Sequence, residues 1–173
     1  MSRRGKHEPF HWLLAGLSWL GSLLGLGGVG YLGEWLALQG FDMAFLIASF
    51  GASAVLLYCA PSVPYSQPRN VLGGQIFSAF VGVTAYQAAL PLPLWSTAVL
   101  AVTASIAVMQ LTRTLHPPGG GTALAAVLSD EHIHAMGYWY VLSPVALGTL
   151  VMLAVALLVN NLPRSRRYPL TWF

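Results

Sequence analysis

The stretch Leu115-His116-Pro117-Pro118-Gly119-Gly120-Gly121-Thr122-Ala123-Leu124 interrupts an otherwise apolar chain. Its two consecutive prolines lack backbone donors and push the residue before them out of helical geometry. The three glycines that follow permit unusual dihedral angles and a close approach of the backbone. From Thr122 onward the sequence is apolar and compatible with a helix. We therefore predict an unwound stretch that leads into the N-terminus of a short helix over about residues 119–128.

The composition on both sides of this stretch is that of a membrane protein. Of the 173 residues, 56% are hydrophobic and only 8% are charged, whereas a soluble domain carries roughly 25% charged residues. Between Met43 and Asp130 the only fully ionised residues are Arg69 and Arg113. We therefore predict an all-α membrane protein.

Turn signals divide the chain into about six transmembrane segments. They form a single domain over residues 1–173, with cytoplasmic ends at 1–10 and 162–173. No Ala-x-Ala site follows the first segment, so we expect this helix to stay uncleaved. The predicted segments cover about residues 11–32, 43–60, 71–90, 94–111, 119–128 and 138–160.

The positions of the basic residues predict the orientation of these segments. Lysine and arginine occur in Arg3-Arg4-Gly5-Lys6, at Arg69 and Arg113, and in Arg164-Ser165-Arg166-Arg167. With the N-terminus inside, every one of them falls on the cytoplasmic side, as the positive-inside rule expects. This arrangement requires the short fifth segment to cross. We predict that both termini are cytoplasmic and that the membrane is a bacterial inner membrane.

The two halves of the chain show a weak internal repeat. Gly51-Ala52-Ser53-Ala54-Val55 is similar to Gly120-Gly121-Thr122-Ala123-Leu124, and each half has a long, a short and a long segment. Three crossings per half predict a 3+3 inverted repeat with broken helices, which is a transporter architecture. Chance similarity among small apolar residues stays open as the alternative.

Small residues at helical spacing predict close helix packing. Gly21 and Gly25 form one pair, and Gly74, Ser78 and Gly82 recur every four residues. Such faces let helix backbones approach each other in lipid. The spacing alone leaves open whether they meet within one subunit or between subunits.

The start of the short fifth helix is the first candidate binding site. Free N–H groups and the helix dipole at such a start favour an anion. Ser49-Phe50-Gly51-Ala52-Ser53 is its counterpart in the first half, with Gly51 opening or kinking the helix. The alternative is a plain surface loop, with small residues that serve only packing. Irregular backbone at membrane depth must otherwise be buried or line a water-filled cavity.

Polar side chains near this backbone complete the candidate site. Arg69 and Arg113 could gather an anion, or could act only as topological signals. His116 could titrate near neutral pH and gate or couple transport, or could hold the loop by a hydrogen bond. The candidate substrate-binding residues are Gly51, Ala52, Ser53, Arg69, Asn70, Arg113, His116, Gly119, Gly120, Gly121 and Thr122.

Other classes of site find little support in the sequence. Asp130-Glu131-His132-Ile133-His134 could bind a metal, but a hydrated loop explains the same residues, and we predict no metal or cofactor. Cys59 is the only cysteine, so no intrachain disulfide can form. No catalytic triad or phosphate-binding loop is present, and the predicted spans lack the acidic residues of a cation pathway.

Several of these stretches together resemble a known family. His116-Pro117-Pro118-Gly119-Gly120 with Thr122-Ala123-Leu124 is similar to the signature of the HPP family of integral membrane proteins. The resemblance covers about residues 10–173, with Gly121 standing where the family usually has alanine. Further matching stretches are Gly51-Ala52-Ser53-Ala54-Val55-Leu56-Leu57, Gln67-Pro68-Arg69-Asn70, Asn160-Asn161, Arg167-Tyr168-Pro169 and Trp172.

The resemblance implies a compact membrane domain and a transport function. Chloroplast and cyanobacterial members of the family are associated with nitrite transport, whereas many bacterial members have no assigned substrate. Some members carry a pair of CBS domains after the membrane part. This chain ends without them, so the resemblance does not imply nucleotide regulation in cis.

Three hypotheses follow for the function. The first is a transporter or channel for a small inorganic anion, nitrite foremost, with the lipid bilayer and the anion as partners and no nucleic acid. The second is a membrane scaffold or sensor subunit without transport activity of its own. The third, an intramembrane enzyme that uses His116, lacks partner residues, so we predict that the chain is not an enzyme. A homo-oligomer stays open.

Overall fold

A computed structural model of the chain describes residues 11–39, 47–88, 90–163 and 166–172, and its regular structure within these ranges is entirely helical. The elements are α1 (His11–Leu38), α2 (Ala48–Ala54) with a π-helical continuation (Val55–Cys59), a 3₁₀ turn (Pro64–Ser66), α3 (Pro68–Gln87), α4 (Leu94–Leu111), α5 (Pro118–Leu128), α6 (Glu131–Met136), a π-helical segment (Val141–Ala146) and α7 (Leu147–Val159).

The prediction of an all-α membrane protein is confirmed. Three helical stretches are long and apolar enough to cross a membrane, namely Trp12–Leu38, Leu94–Leu111 and Val141–Val159. Two further apolar helices, Ala48–Cys59 and Pro118–Leu128, are shorter. The count of six crossings and the inverted repeat therefore stay predictions. Residues 1–10, 43–46, 89, 164–165 and 173, which belong to the predicted ends and to the second and third predicted segments, lie outside the described residues.

Helix α3 packs against α4, α5 and the segment before α7. Small residues allow the close approach to α5: a Cβ atom on Gly82 would lie 2.7 Å from the carbonyl oxygen of Ala123. One on Gly119 would lie 2.7 Å from the carbonyl oxygen of Gly74 and 2.6 Å from Ser78 Oγ. The predicted packing face of Gly74, Ser78 and Gly82 is confirmed, and it meets α5 within one chain.

Tyr58 joins α1, the π-helical turn and α7 in a second core. Its ring lies against Gly21 and Gly25, where a Cβ atom would clash with it. Its hydroxyl donates to the carbonyl oxygen of Met152 at 3.0 Å. The Gly21 and Gly25 pair therefore serves to seat an aromatic ring inside the subunit.

Three connecting segments meet at one end of the helix bundle. Arg69 at the start of α3 donates to the carbonyl oxygen of Thr112 at 2.9 Å, and Asn70 donates to that of Leu115 at 2.9 Å. From the C-terminal tail, Tyr168 donates its hydroxyl proton to the carbonyl oxygen of Ser66 at 2.7 Å. The α2–α3 connection, the α4–α5 connection and the tail are thus bound to one another.

The non-helical backbone around the two prolines is shorter than predicted. Helix α5 begins at Pro118, so the three glycines lie in its first turn. Within the described ranges, the residues with positive φ are Arg113 at 56° and Gly137 at 52°. Proline fits the first turn of a helix because the N–H that it lacks has no intrahelical acceptor there. The unwound part is therefore the connection 112–117.

The predicted hydrated loop at residues 130–134 contains a short helix. Asp130 caps α6 by accepting a hydrogen bond from the Ile133 N–H at 3.2 Å. Where the structure describes the chain, it shows no group of three or more histidine, cysteine, aspartate or glutamate residues that could hold a metal ion.

The predicted orientation can be tested by cysteine labelling. In a Cys59→Ser background, we expect Ser62→Cys to be protected from a membrane-impermeant maleimide in intact cells and Glu131→Cys to react. The reason is that Ser62 belongs to the end that holds Arg69, which the positive-inside rule places in the cytoplasm. Both positions should react after permeabilisation. Labelling of Ser62→Cys from outside would contradict the orientation.

Candidate functional site

His116 is completely buried where α2, α3 and the α2–α3 connection meet. Its Nδ1 atom lies 2.8 Å from the carbonyl oxygen of Tyr65, and its Nε2 atom lies 2.8 Å from Ser53 Oγ. Since a carbonyl oxygen can only accept, Nδ1 must carry the proton. His116 lies in the α4–α5 connection, outside the candidate spans, and burial lowers its pKa to about 4. The ring is therefore neutral near pH 7, and Nε2 accepts from Ser53.

Gln75 of α3 extends this contact into a chain of buried polar side chains. Its Nε2 atom donates to Ser53 Oγ at 2.8 Å, and its Oε1 atom accepts from the hydroxyl of Thr122. The oxygen of Thr122 in turn lies 2.7 Å from Ser49 Oγ. We call Ser49, Thr122, Gln75, Ser53 and His116 the buried polar chain. All five side chains are at most 4% exposed.

The Thr122 hydroxyl lies between two acceptors in the buried polar chain. It donates to Gln75 Oε1, which can only accept, and to Ser49 Oγ at 2.7 Å, so its one proton is shared between them. At the other end, Ser53 accepts from the Gln75 amide and donates to Nε2 of His116.

A groove of about 500 Å³ lies along the contact between α2 and the start of α5. Ser49 on one wall belongs to the buried polar chain, and Gly121 faces it from the other. We call this the α2–α5 groove. It brings together residues from both halves of the predicted repeat. Its lining residues are Ala48, Ser49, Ala52, Leu56, Pro117, Pro118 and Gly121.

The backbone donors at the start of α5 are engaged, in contrast to the free N–H groups that the sequence predicts. The Gly119 N–H donates to the carbonyl oxygen of His116 at 2.8 Å, and the Gly120 N–H donates to that of Pro117 at 3.1 Å. Both bonds span three residues, as in a 3₁₀ turn, and they occupy the first two N–H groups after Pro118. Side chains, rather than these two N–H groups, are therefore the polar groups available at the α2–α5 groove.

The predicted site residues fall into separate places. Ser53, His116 and Thr122 belong to the buried polar chain, and Ala52 and Gly121 line the groove. Others serve packing or the end of the bundle. Gly119 packs against α3, Gly120 lies near Val102, Gly51 has no neighbouring atom within 4 Å of its Cβ position, Arg69 and Asn70 bind carbonyl oxygens, and Arg113 is exposed.

Sequence reasoning missed Gln75, which holds the buried polar chain together. Its signal was present: an amide in the middle of an apolar helix, directly after Gly74 of the packing face. A polar side chain inside a membrane domain needs partners. The partners themselves, Ser53 and Thr122, are 22 and 47 residues away, so no local pattern identifies them.

Comparison with known proteins places the chain in a family. Residues 7–169 match the family model described as the HPP transmembrane region. Two transmembrane proteins of Dictyostelium discoideum are 43% and 41% identical over 161 residues, which is 91% of this chain in both cases. The chain spans about half the length of these curated relatives, 51% and 55%. No solved structure matches. The chain therefore belongs to the HPP transmembrane family.

Proposed function

We propose that the chain is a membrane transporter or channel for a small inorganic anion, with nitrite the first candidate, and that the α2–α5 groove is where the anion binds. The observation that supports this proposal most is the junction of Ser49 and Gly121 across the groove. There, the two short apolar helices meet, each in the middle of its half of the chain. Transporters with inverted repeats bind substrate where such helices meet.

The charges around the groove agree with an anionic or neutral ligand. Among the residues that the structure describes, none that lines the groove is acidic. Arg69 and Arg113 are exposed at the end of the bundle that holds His116 and Pro117. Exposed arginines attract anions over distances up to about a Debye length, about 8 Å at physiological salt. We also propose no enzymatic role for His116, because both of its ring nitrogens are engaged.

The alternative is a membrane scaffold or sensor subunit without transport activity. The closed turn before α5 favours it: the N–H groups of Gly119 and Gly120 and both ring nitrogens of His116 all have partners. In this alternative the HPP stretch serves only to fold the bundle. Anion flux separates the two functions.

The test is anion uptake into liposomes that contain only this protein, with the Gly121→Val variant as the probe of the groove. The first added carbon would meet Ser49 Cβ at 3.4 Å, an ordinary contact, and the two methyl groups would narrow the groove next to Ser49. We expect nitrite uptake by the wild type and at least about a tenfold loss in the variant, which corresponds to about 1.4 kcal/mol.

Gly27→Val on α1 is the matched control, because its Cβ position has no atom within 4 Å. This variant should keep the uptake of the wild type. Nitrate, formate, chloride and sulfate, tested in parallel, define the selectivity. If no anion enters wild-type liposomes, the transport proposal is wrong and the scaffold hypothesis gains.

A further inference from the structure

Ser49 has a hydroxyl proton that no described residue accepts. Its side-chain oxygen accepts a hydrogen bond from the Thr122 hydroxyl at 2.7 Å, but its own proton has no acceptor within the residues that the structure describes. The side chain is only 4% exposed. Buried polar groups in folded proteins are hydrogen-bonded with few exceptions. A buried hydroxyl with an unused proton therefore points to an acceptor that comes from a ligand.

The unused proton belongs to the wall of the α2–α5 groove. Among the described residues that line the groove, Ser49 has the one polar side chain. Gly121 stands opposite, and the atoms outside its own helix that lie closest to its Cβ position are Ser49 Cβ at 3.4 Å and Ser49 Cα at 3.8 Å. Because Gly121 has no side chain, it leaves this side of Ser49 open to the groove.

Thr122 orients and strengthens the Ser49 hydroxyl as a donor. The Thr122 proton, shared with Gln75, occupies a lone pair of the Ser49 oxygen. The Ser49 proton must then be directed away from the Thr122 oxygen. Hydrogen bonds in a chain polarise one another, so a hydroxyl that accepts one hydrogen bond becomes a better donor for the next.

We infer that the Ser49 hydroxyl donates the hydrogen bond that holds the anion in the α2–α5 groove, and that the groove selects monovalent anions that lose their water easily. This inference rests on the proposed function and names its binding residue and its substrate class. The ligands are nitrite and nitrate as bare ions, in preference to formate and sulfate.

The composition of the groove determines this preference. An anion in water accepts several hydrogen bonds, whereas the described wall offers one side-chain donor among alanine, leucine, proline and glycine. Removing a charge from water is costly, so the ion that holds water most weakly loses least on binding. A divalent ion such as sulfate loses most. Among the residues that the structure describes, no lysine or arginine lines the groove to compensate it.

Protection against thermal unfolding measures the binding, because a ligand of the folded state raises the thermal midpoint. The full chain, purified in detergent, is heated with increasing sodium nitrite, nitrate, formate or sulfate, at an ionic strength held constant with sodium gluconate. Formate has the two oxygens and the bent shape of nitrite but holds water more strongly, so it is the matched ligand. We expect nitrite and nitrate to raise the midpoint at concentrations where formate has little effect and sulfate none.

Ser49→Ala removes the donor and leaves Thr122 its other acceptor, Gln75, so no buried proton is stranded. The variant should fold and should bind nitrite about ten- to hundredfold more weakly, the effect of losing a hydrogen bond to a charged group. Ser78→Ala is the matched control. It removes another buried serine hydroxyl, which lies against Gly119 and outside the groove, and should bind nitrite as the wild type does.

The outcomes separate this inference from the proposed function. Unchanged nitrite affinity in a folded Ser49→Ala variant, or formate that binds as tightly as nitrite, overturns the inference and leaves the transport function standing. Selective binding that depends on Ser49, without uptake into liposomes, supports the site and overturns the transport function. Absence of any anion binding and uptake overturns both.

A second variant covers the case in which Ser49→Ala does not fold. Ser49→Cys keeps a side chain of similar size whose thiol is a weak donor, so it should also weaken nitrite binding. Wild-type affinity in this variant overturns the inference. If neither variant folds, the wild-type protein decides alone: tighter binding of nitrite than of formate supports the inference, and the reverse order overturns it.

Discussion

The Gly119→Ala variant is expected to unfold at a clearly lower temperature than the wild type, if it folds at all. The added carbon would lie 2.7 Å from the backbone carbonyl oxygen of Gly74 and 2.6 Å from Ser78 Oγ. Backbone cannot move aside as a flexible side chain can, so α5 must shift away from α3. Overpacking of this kind costs about 1–3 kcal/mol, occasionally more, against less than about 1 kcal/mol gained in helix propensity.

Gly120→Ala is the matched control for this prediction. It adds the same methyl group one residue further along α5, where the closest atom is Val102 Cγ1 at 3.7 Å. Its thermal midpoint, measured by tryptophan fluorescence of the purified protein in detergent, should equal or exceed that of the wild type. Equal destabilisation of the two variants would show that α5 does not pack on α3 as described.

Replacing Gln75 with leucine is the second change with a large expected effect. Leucine fills a similar volume but leaves Ser53 without its amide donor and Thr122 without its acceptor. Each buried group stranded in this way costs about 1–3 kcal/mol. We therefore expect a lower thermal midpoint together with the loss of nitrite uptake, because Gln75 supports Thr122, which in turn contacts Ser49 at the groove.

Gln110→Leu provides the comparison for Gln75→Leu. Gln110 is exposed near the end of α4, so the same substitution there strands no buried partner and should leave stability unchanged or raised. A Gln75→Leu protein as stable as the wild type would mean that the buried polar chain contributes nothing to folding. This pair of variants thus tests two separate roles of the buried polar chain, one in stability and one in uptake.

Helix positions could be predicted from the sequence because prolines and charges mark the ends of the apolar segments. Helix α4 matches its predicted segment at both ends, since Pro93 precedes it and Arg113 follows it closely. The packing of α3 on α5 was visible in the four-residue spacing of Gly74, Ser78 and Gly82. Both signals lie within a few residues of the feature that they predict, so the sequence alone is enough to read them.

The candidate site was harder to predict, because it depends on contacts between distant residues. His116 and Ser53 are 63 residues apart, and Thr122 and Ser49 are 73 apart. Nothing in the spacing of either pair indicates that they meet. The glycines after Pro118 were misleading for another reason: they lie in the first turn of a helix rather than in an open backbone, and of the three only Gly119 is tightly packed.

Hydrogen bonds connect the C-terminal tail to the segment that leads into α3, so a force on the tail would reach that segment. Tyr168 holds Ser66, and the Leu170 N–H holds the side chain of Gln67 at 2.8 Å. The neighbouring Tyr65 supplies the acceptor of His116. A tension applied to the tail would therefore be transmitted through two hydrogen bonds to the group that sets the tautomer of the imidazole. A pull on the chain after Trp172 would therefore act on the position of Tyr65 and, through its carbonyl oxygen, on His116.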